Sequence, residues 1–159
     1  MENILIKKAT IDELDLIVNY IRLMLEEVHS YGGSKPSEDI VKWNNFKERI
    51  NKNLENPEYC FLIVIDEILN KDIGYGEARL EPVSYIFEDI KTLHISCLYV
   101  SQDYRNKGIA KLLMQKLLDF GKINDCLEVD LNVSINNPAY NLYKYLDFKD
   151  FTVKMKKNI

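Results

Sequence analysis

The segment Leu98 to Ala110 constrains the chain most. Leu98-Tyr99-Val100 reads as the end of a buried strand. Ser101 to Lys107 is a polar turn, and an amphipathic helix opens near Gly108. The turn has the form Arg-x-x-Gly-x-Ala, from Arg105 to Ala110. A helix that starts this way directs unpaired backbone N–H groups, and the positive end of its dipole, at whatever lies in front of it. Gly108 has no Cβ, so an anion can approach the main chain. The arrangement suits a phosphate or pyrophosphate held by backbone amides. The helix continues through Ile109, Leu112, Leu113, Leu117 and Phe120 on one stripe, to about Lys122.

The rest of the 159-residue chain supplies the elements such a unit packs against. Ile4-Leu5-Ile6 is a short strand. Thr10-Ile11-Asp12-Glu13 has the capping-box pattern of a helix start. Leu14, Ile17, Val18, Ile21, Leu25 and Val28 follow at helical spacing, up to Tyr31-Gly32-Gly33. A second helix runs from about Glu38 to Leu54. Tyr59 to Ile65 is a continuous apolar strand, Asp66 to Asp72 a polar turn, and Ile73 to Leu80 its hairpin partner. Leu93 to Val100 is the next strand. Leu127 to Val133 alternates as a half-buried strand. Asn137 and Pro138 open a helix through Ala139, Leu142, Tyr143 and Leu146, and Phe148 to Met155 reads as a last strand. No repeat or linker interrupts this order. The expectation is one α/β domain over residues 1–159 with a mixed sheet.

Composition narrows the function classes. A net charge of −4 argues against general nucleic-acid binding. Cys60, Cys97 and Cys126 are odd in number and match no zinc or redox spacing, so they read as reduced thiols. His29 and His94 lie far apart, and no metal site is expected. Lack of a signal peptide and of a membrane-length apolar run leads us to expect a cytoplasmic protein off the membrane.

Two motifs carry a resemblance. Leu98-Tyr99-Val100 with Tyr104 to Ala110, and Asn136 to Tyr143 with Phe148, resemble the GNAT superfamily of acetyl-CoA-dependent N-acetyltransferases. The resemblance implies a GNAT-like fold: a mixed, mostly antiparallel central sheet of about six to seven strands, flanked by helices and splayed between its two central strands. It implies acetyl-CoA as co-substrate and an amine of a small molecule or peptide as acceptor, with direct attack in a ternary complex. It also makes a homodimer an expectation. By the same resemblance Arg105, Asn106, Lys107, Gly108, Ile109, Ala110 and Lys111 would hold the pyrophosphate. Leu98, Tyr99, Val100 and Asn132 would border the pantetheine slot, and a backbone N–H near Leu98 or Tyr99 would face the oxyanion. Asn136 would contact the cofactor arm and Tyr143 would lie near its sulfur.

The chain departs from the family pattern at the base. Thr92 to Cys97 carries no glutamate; His94 and Ser96 occupy the positions where members have one. Histidine as a residue type titrates near neutrality, so His94 is one candidate base. Glu77 is a second and a water chain a third. The usual glycine before Phe148 is Asp147, which tolerates left-handed geometry. Acidic Glu77, Glu81, Glu88 and Asp89 suit a cationic acceptor. The missing strand glutamate also leaves open a different class, an acyl-CoA-binding sensor or interaction module without catalysis.

Overall fold

The computed structural model describes residues 3–82, 90–155 and 157. Glu88 and Asp89, and most of the loop between Leu80 and Lys91, lie outside the described residues. The elements run β1 (Ile4–Lys8), α1 (Leu14–Ser30), α2 (Ile40–Asn53), β2 (Tyr59–Asp66), β3 (Lys71–Leu80), β4 (Thr92–Val100), α3 (Ile109–Ile123), β5 (Glu128–Leu131) and α4 (Ala139–Tyr145).

Local chemistry sets the boundaries. The Glu13 carboxylate accepts from the N–H and the hydroxyl of Thr10, both at 2.7 Å, so the capping box forms on the short 3-10 turn that leads into α1. Lys7 also donates to Glu13, and these bonds hold its carboxyl down at about 2. Asp66 accepts from the N–H groups of Ile68 and Leu69, which closes the β2–β3 hairpin. Asn137 accepts from the N–H of Ala139 at 2.9 Å and caps α4. At the other end of α4, Asp147 takes φ 65°, the left-handed stop its side chain tolerates.

The sheet order is β1-β2-β3-β4-β5. The first three pairings are antiparallel and β4–β5 is parallel. Helices cover both faces. Ile109, Leu113, Met114 and Leu117 of α3 and Tyr143 of α4 pack on one face, against Leu62, Val64, Ala78, Leu93 and Ile95. Leu14, Ile17, Tyr20 and Ile21 of α1 and Ile50 of α2 pack on the other, against Phe61, Ile63, Tyr75 and Cys97. Gly76 lets α3 sit close: a Cβ there would lie 2.9 Å from Leu113 Cδ1.

Two bulges re-aim the central strands. Ile73 is extra on β3 and Ser96 is extra on β4. Side chains alternate faces along a strand, so one inserted residue exchanges them. Leu93 and Ile95 therefore join the α3 core, whereas Cys97 and Tyr99 join the α1–α2 core. β4 pairs with β5 only from Thr92 to Ile95. Ser96 to Val100 have no partner on that side among the described residues.

One expectation is corrected. The described residues form five strands rather than six or seven, and Phe148 to Met155 is not a strand. Phe151, Val153 and Met155 alternate as a strand would, yet all three are exposed. Alternation needs a ladder partner to become a strand. Here Phe148 turns back against Tyr143, ring centroids 5.8 Å apart, and Tyr140 and Lys144 hold Asp150, which keeps the segment against α4 rather than beside β5.

Leu113 is fully buried where α3 crosses Gly76. Leu113→Ala is expected to destabilise the fold by about 2–5 kcal/mol, measured by urea denaturation at unchanged m-value.

Candidate active site

The site begins where β4 parts from β5. The last paired rung is Ile95 with Leu131. Beyond it β4 continues through Leu98, Tyr99 and Val100, while the chain after β5 leaves through the exposed Asn132. An open strand edge presents N–H and C=O groups that need partners. A ligand with amide groups of its own can add to such an edge, in the manner of an extra strand.

At the far end of β4 lies the turn. Tyr104 and Arg105 complete a 3-10 turn by donating to Ser101 and Gln102. Asn106 and Gly108 then take φ 61° and 78°. Gly108 is the α3 N-cap and has no side chain with which to cap the helix. Leu112 is the first residue whose N–H bonds back into the helix start, to Gly108 O at 3.2 Å. Among the described residues the N–H groups of Asn106, Lys107, Gly108, Ile109, Ala110 and Lys111 have no protein acceptor. That is a cluster of backbone donors at a helix N-terminus, next to the open edge.

Arg105 is engaged elsewhere. Its Nε donates to Val100 O at 2.8 Å, and its guanidinium pairs with Glu27 of α1 at 2.5 Å and lies over the Tyr99 ring. Arg105 therefore ties the turn to β4 and α1. Lys107 sits 5.0 Å from the centre of the Tyr104 ring and Lys111 5.2 Å from that of Tyr145.

Side chains flank the edge on both faces of the sheet. Tyr143, 8 % exposed, lies on the α3–α4 face. Burial pushes its phenol up to about 12, and Cys97 pushes the same way. It is thus a protonated donor throughout the physiological range. Its hydroxyl has no recorded protein partner, and no fully sealed side-chain polar atom lacks one among the described residues. The hydroxyl therefore keeps access to solvent or ligand.

Glu77 faces the α1–α2 side and pairs with Cys97 directly at the β4 bulge. It is the buried charged residue of the core, 9 % exposed. Tyr75 donates to its Oε2 at 2.7 Å. Burial raises the Glu77 carboxyl above the ordinary carboxylate value, and Tyr75, Arg49, Arg79 and His94 oppose the rise. Cys97 is also raised by burial and stays a thiol, as expected of a packed rather than nucleophilic cysteine. His94, on the same face, bonds through Nδ1 to Asp130 Oδ1 at 2.5 Å. Asn136 is exposed on the loop before α4, where its N–H meets Ser134 Oγ.

Two partnerships have no signal in the sequence. Asp130 with His94 and Glu27 with Arg105 each join residues that only strand register or helix packing brings together. Tyr75 and Glu77, two apart on β3, share a face by alternation alone. Period-two alternation in β5 does place Asp130 off the core, but it cannot say what faces it. Tyr31 is a third case: its carbonyl accepts from Ser134 Oγ at 3.4 Å, so the α1–α2 connection reaches the loop after β5. Trp43 packs edge-on to Phe46 and donates to Ser37 O.

No group of three or more His, Cys, Asp or Glu side chains poised to hold a metal ion occurs among the described residues. Nor is any described helix long and apolar enough to cross a membrane.

Known proteins share this arrangement. A family model described as the Acetyltransferase (GNAT) family matches residues 20–148. An N-alpha-acetyltransferase from Sulfurisphaera tokodaii is 29% identical over 157 residues, covering 93% of this chain and 81% of its own length. One from Saccharolobus solfataricus is 29% identical over 158 residues with the same coverage. A crystal structure of a predicted acetyltransferase with acetyl-CoA from Clostridium acetobutylicum has a TM-score of 0.76 at 21% identity, covering 98% of this chain and 96% of that one. A mutant protein from Bacillus halodurans reaches a TM-score of 0.82, also at 21% identity, over 98% and 99% of the two chains. The split sheet with helices on both faces agrees with these folds. The chain belongs to the Acetyltransferase (GNAT) family and is an acyltransferase.

Proposed function

We propose that the chain transfers the acetyl group of acetyl-CoA to a primary amine by direct attack, without a covalent acetyl-enzyme. The observation that carries this reading is the open edge of β4, continuous at its end with the unpaired amides of the Arg105–Ala110 turn. The pyrophosphate would lie on those amides and pantetheine would pair with β4 in the split. The thioester then falls between Tyr143 on one face of the sheet and Glu77 with His94 on the other.

The chemistry follows from these positions. The amine nitrogen attacks the thioester carbonyl carbon, and the carbonyl oxygen gains negative charge. A β4 N–H near Leu98 or Tyr99 stabilises that oxygen, and such a donor is strong where water is excluded. The C–S bond breaks and the sulfur takes a proton or hydrogen bond from Tyr143. A thiolate is disfavoured in the same dry surroundings that raise the phenol; burial already pushes the Cys60 thiol up to about 11. The amine sheds its proton on the α1–α2 face, where Glu77 and His94 are the groups able to receive it. Ionised Glu77 also attracts an ammonium into the cleft.

The relatives named N-alpha-acetyltransferases support a peptide α-amine as the first acceptor to try. The test is release of free thiol from acetyl-CoA across a panel of peptide N-termini, polyamines and aminoglycosides. At least one amine should accelerate release. Tight acetyl-CoA binding without acceleration by any amine would overturn catalysis in favour of a binding module.

Three variants probe the machinery. Tyr143→Phe should lower kcat on the order of 10²-fold or more, with little change in KM for acetyl-CoA, because it removes a proton donor rather than a binding group. Gly108→Ala should raise KM for acetyl-CoA and cost about 1 kcal/mol of stability, since an L side chain is strained at φ 78°.

Glu77→Gln should separate stability from activity. The folded-state pKa of Glu77 is raised, so this group favours folding when protonated, and that contribution is lost as pH rises through the raised value. The glutamine variant should therefore melt higher than the parent at pH 7–8, with the gap closing in acid, while kcat/KM for the amine falls. Differential scanning calorimetry across pH, with the thiol assay alongside, reads both.

A further inference from the structure

His94 and Asp130 meet across the parallel β4–β5 pair, directly opposite in register and 36 positions apart in the chain. Their rung is the last but one before the strands part at Ile95 and Leu131. The His94 side chain is 14 % exposed and that of Asp130 is 62 % exposed. A contact whose carboxylate is this exposed contributes little to stability, so folding alone gives no reason for it. Its place does. It stands at the apex of the split, on the face opposite Tyr143 and beside Glu77.

The chemistry of the contact fixes the imidazole. An ionised carboxylate only accepts hydrogen bonds, so the His94 nitrogen that meets Asp130 must carry the hydrogen. That nitrogen is Nδ1. In the neutral ring Nε2 is then the nitrogen with a free lone pair. A carboxylate that orients an imidazole in this way also stabilises the imidazolium formed when Nε2 takes a proton. Arg79, opposite His94 on β3, is already engaged by Glu81 at 2.7 Å and Ser96 Oγ at 3.2 Å. The charged groups that face His94 are thus Asp130 from β5 and Arg79 and Glu77 from β3, with Arg49 of α2 acting on Glu77.

We infer that Asp130 is a positioning residue that holds His94 with Nε2 free, and that His94 so held takes the proton of the attacking amine. This rests on the acetyl-transfer reading above. The N–H bond of the amine breaks as its nitrogen bonds to the carbonyl carbon. The proton passes to His94 Nε2, and the partly exposed Asp130 stabilises the resulting cation until it exchanges with water. Acid and base then work from opposite faces of the sheet, so the proton taken up at His94 and the one delivered at Tyr143 do not share a path. Glu77 is left to draw in the ammonium, which releases one proton to water to become the neutral amine before attack.

The experiment has two readouts. Nitrogen-15 NMR of the histidines, with His29→Gln to assign the signals, reports the tautomer without any acceptor. The parent should show neutral His94 protonated on Nδ1, and Asp130→Ala should move that proton to Nε2. In the thiol-release assay Asp130→Ala should lower kcat on the order of 10²-fold, as a base in the wrong tautomer loses most of its contribution. The acid limb of the kcat profile should move with it, and KM for acetyl-CoA should stay the same. His94→Gln should fall as far, and the double variant no further. Asp130→Asn, which keeps an acceptor oxygen, should lie between. A parent protonated on Nε2, or an Asp130→Ala enzyme with unchanged kcat and pH profile, would overturn the inference. A parent that releases no thiol with any amine counts against acetyl transfer itself, while the tautomer still decides whether Asp130 positions His94.

Discussion

Everything in the site depends on an interrupted hydrogen-bond ladder. β4 and β5 pair for four residues and then separate, with β4 running on alone. Such an edge carries amides and carbonyls that call for partners. Most proteins cover the edges of their sheets. Here the gap is retained, and a ligand that brings amides of its own is the occupant we propose for it.

The Ser96 bulge decides what surrounds that gap. Without it Cys97 and Tyr99 would point at α3 and the open part of β4 would carry a different face. With it, Glu77 pairs beside the bulge and looks toward α1 and α2. One Arg105 guanidinium holds the end of β4, the turn before α3 and α1 together, and so acts as a strut.

Stability is traded for chemistry at one position in particular. Glu77 is a buried carboxylate among tyrosines and a cysteine, with Tyr75 as its hydrogen-bonding partner. Burial of such a group favours the neutral form and weakens the fold at neutral pH. Exposed surface pairs, such as Lys35 with Glu38, carry no comparable tension.

The linear chain determined the layers and the anion turn. Leu14 to Val28 and Ile109 to Phe120 spell amphipathic helices by spacing, Tyr59 to Ile65 spells a covered strand, and Gly108 at a helix start exposes amides whatever else the fold does. These features are local, so sequence determines them. The last strand was misjudged because alternation at Phe151, Val153 and Met155 is local too, whereas a ladder needs a neighbour. Only tertiary structure decided where the ladder stops, which residue bulges, and which partners His94 and Arg105 find. Those are matters of register between segments far apart in the chain, and a shift of one residue reverses every face involved.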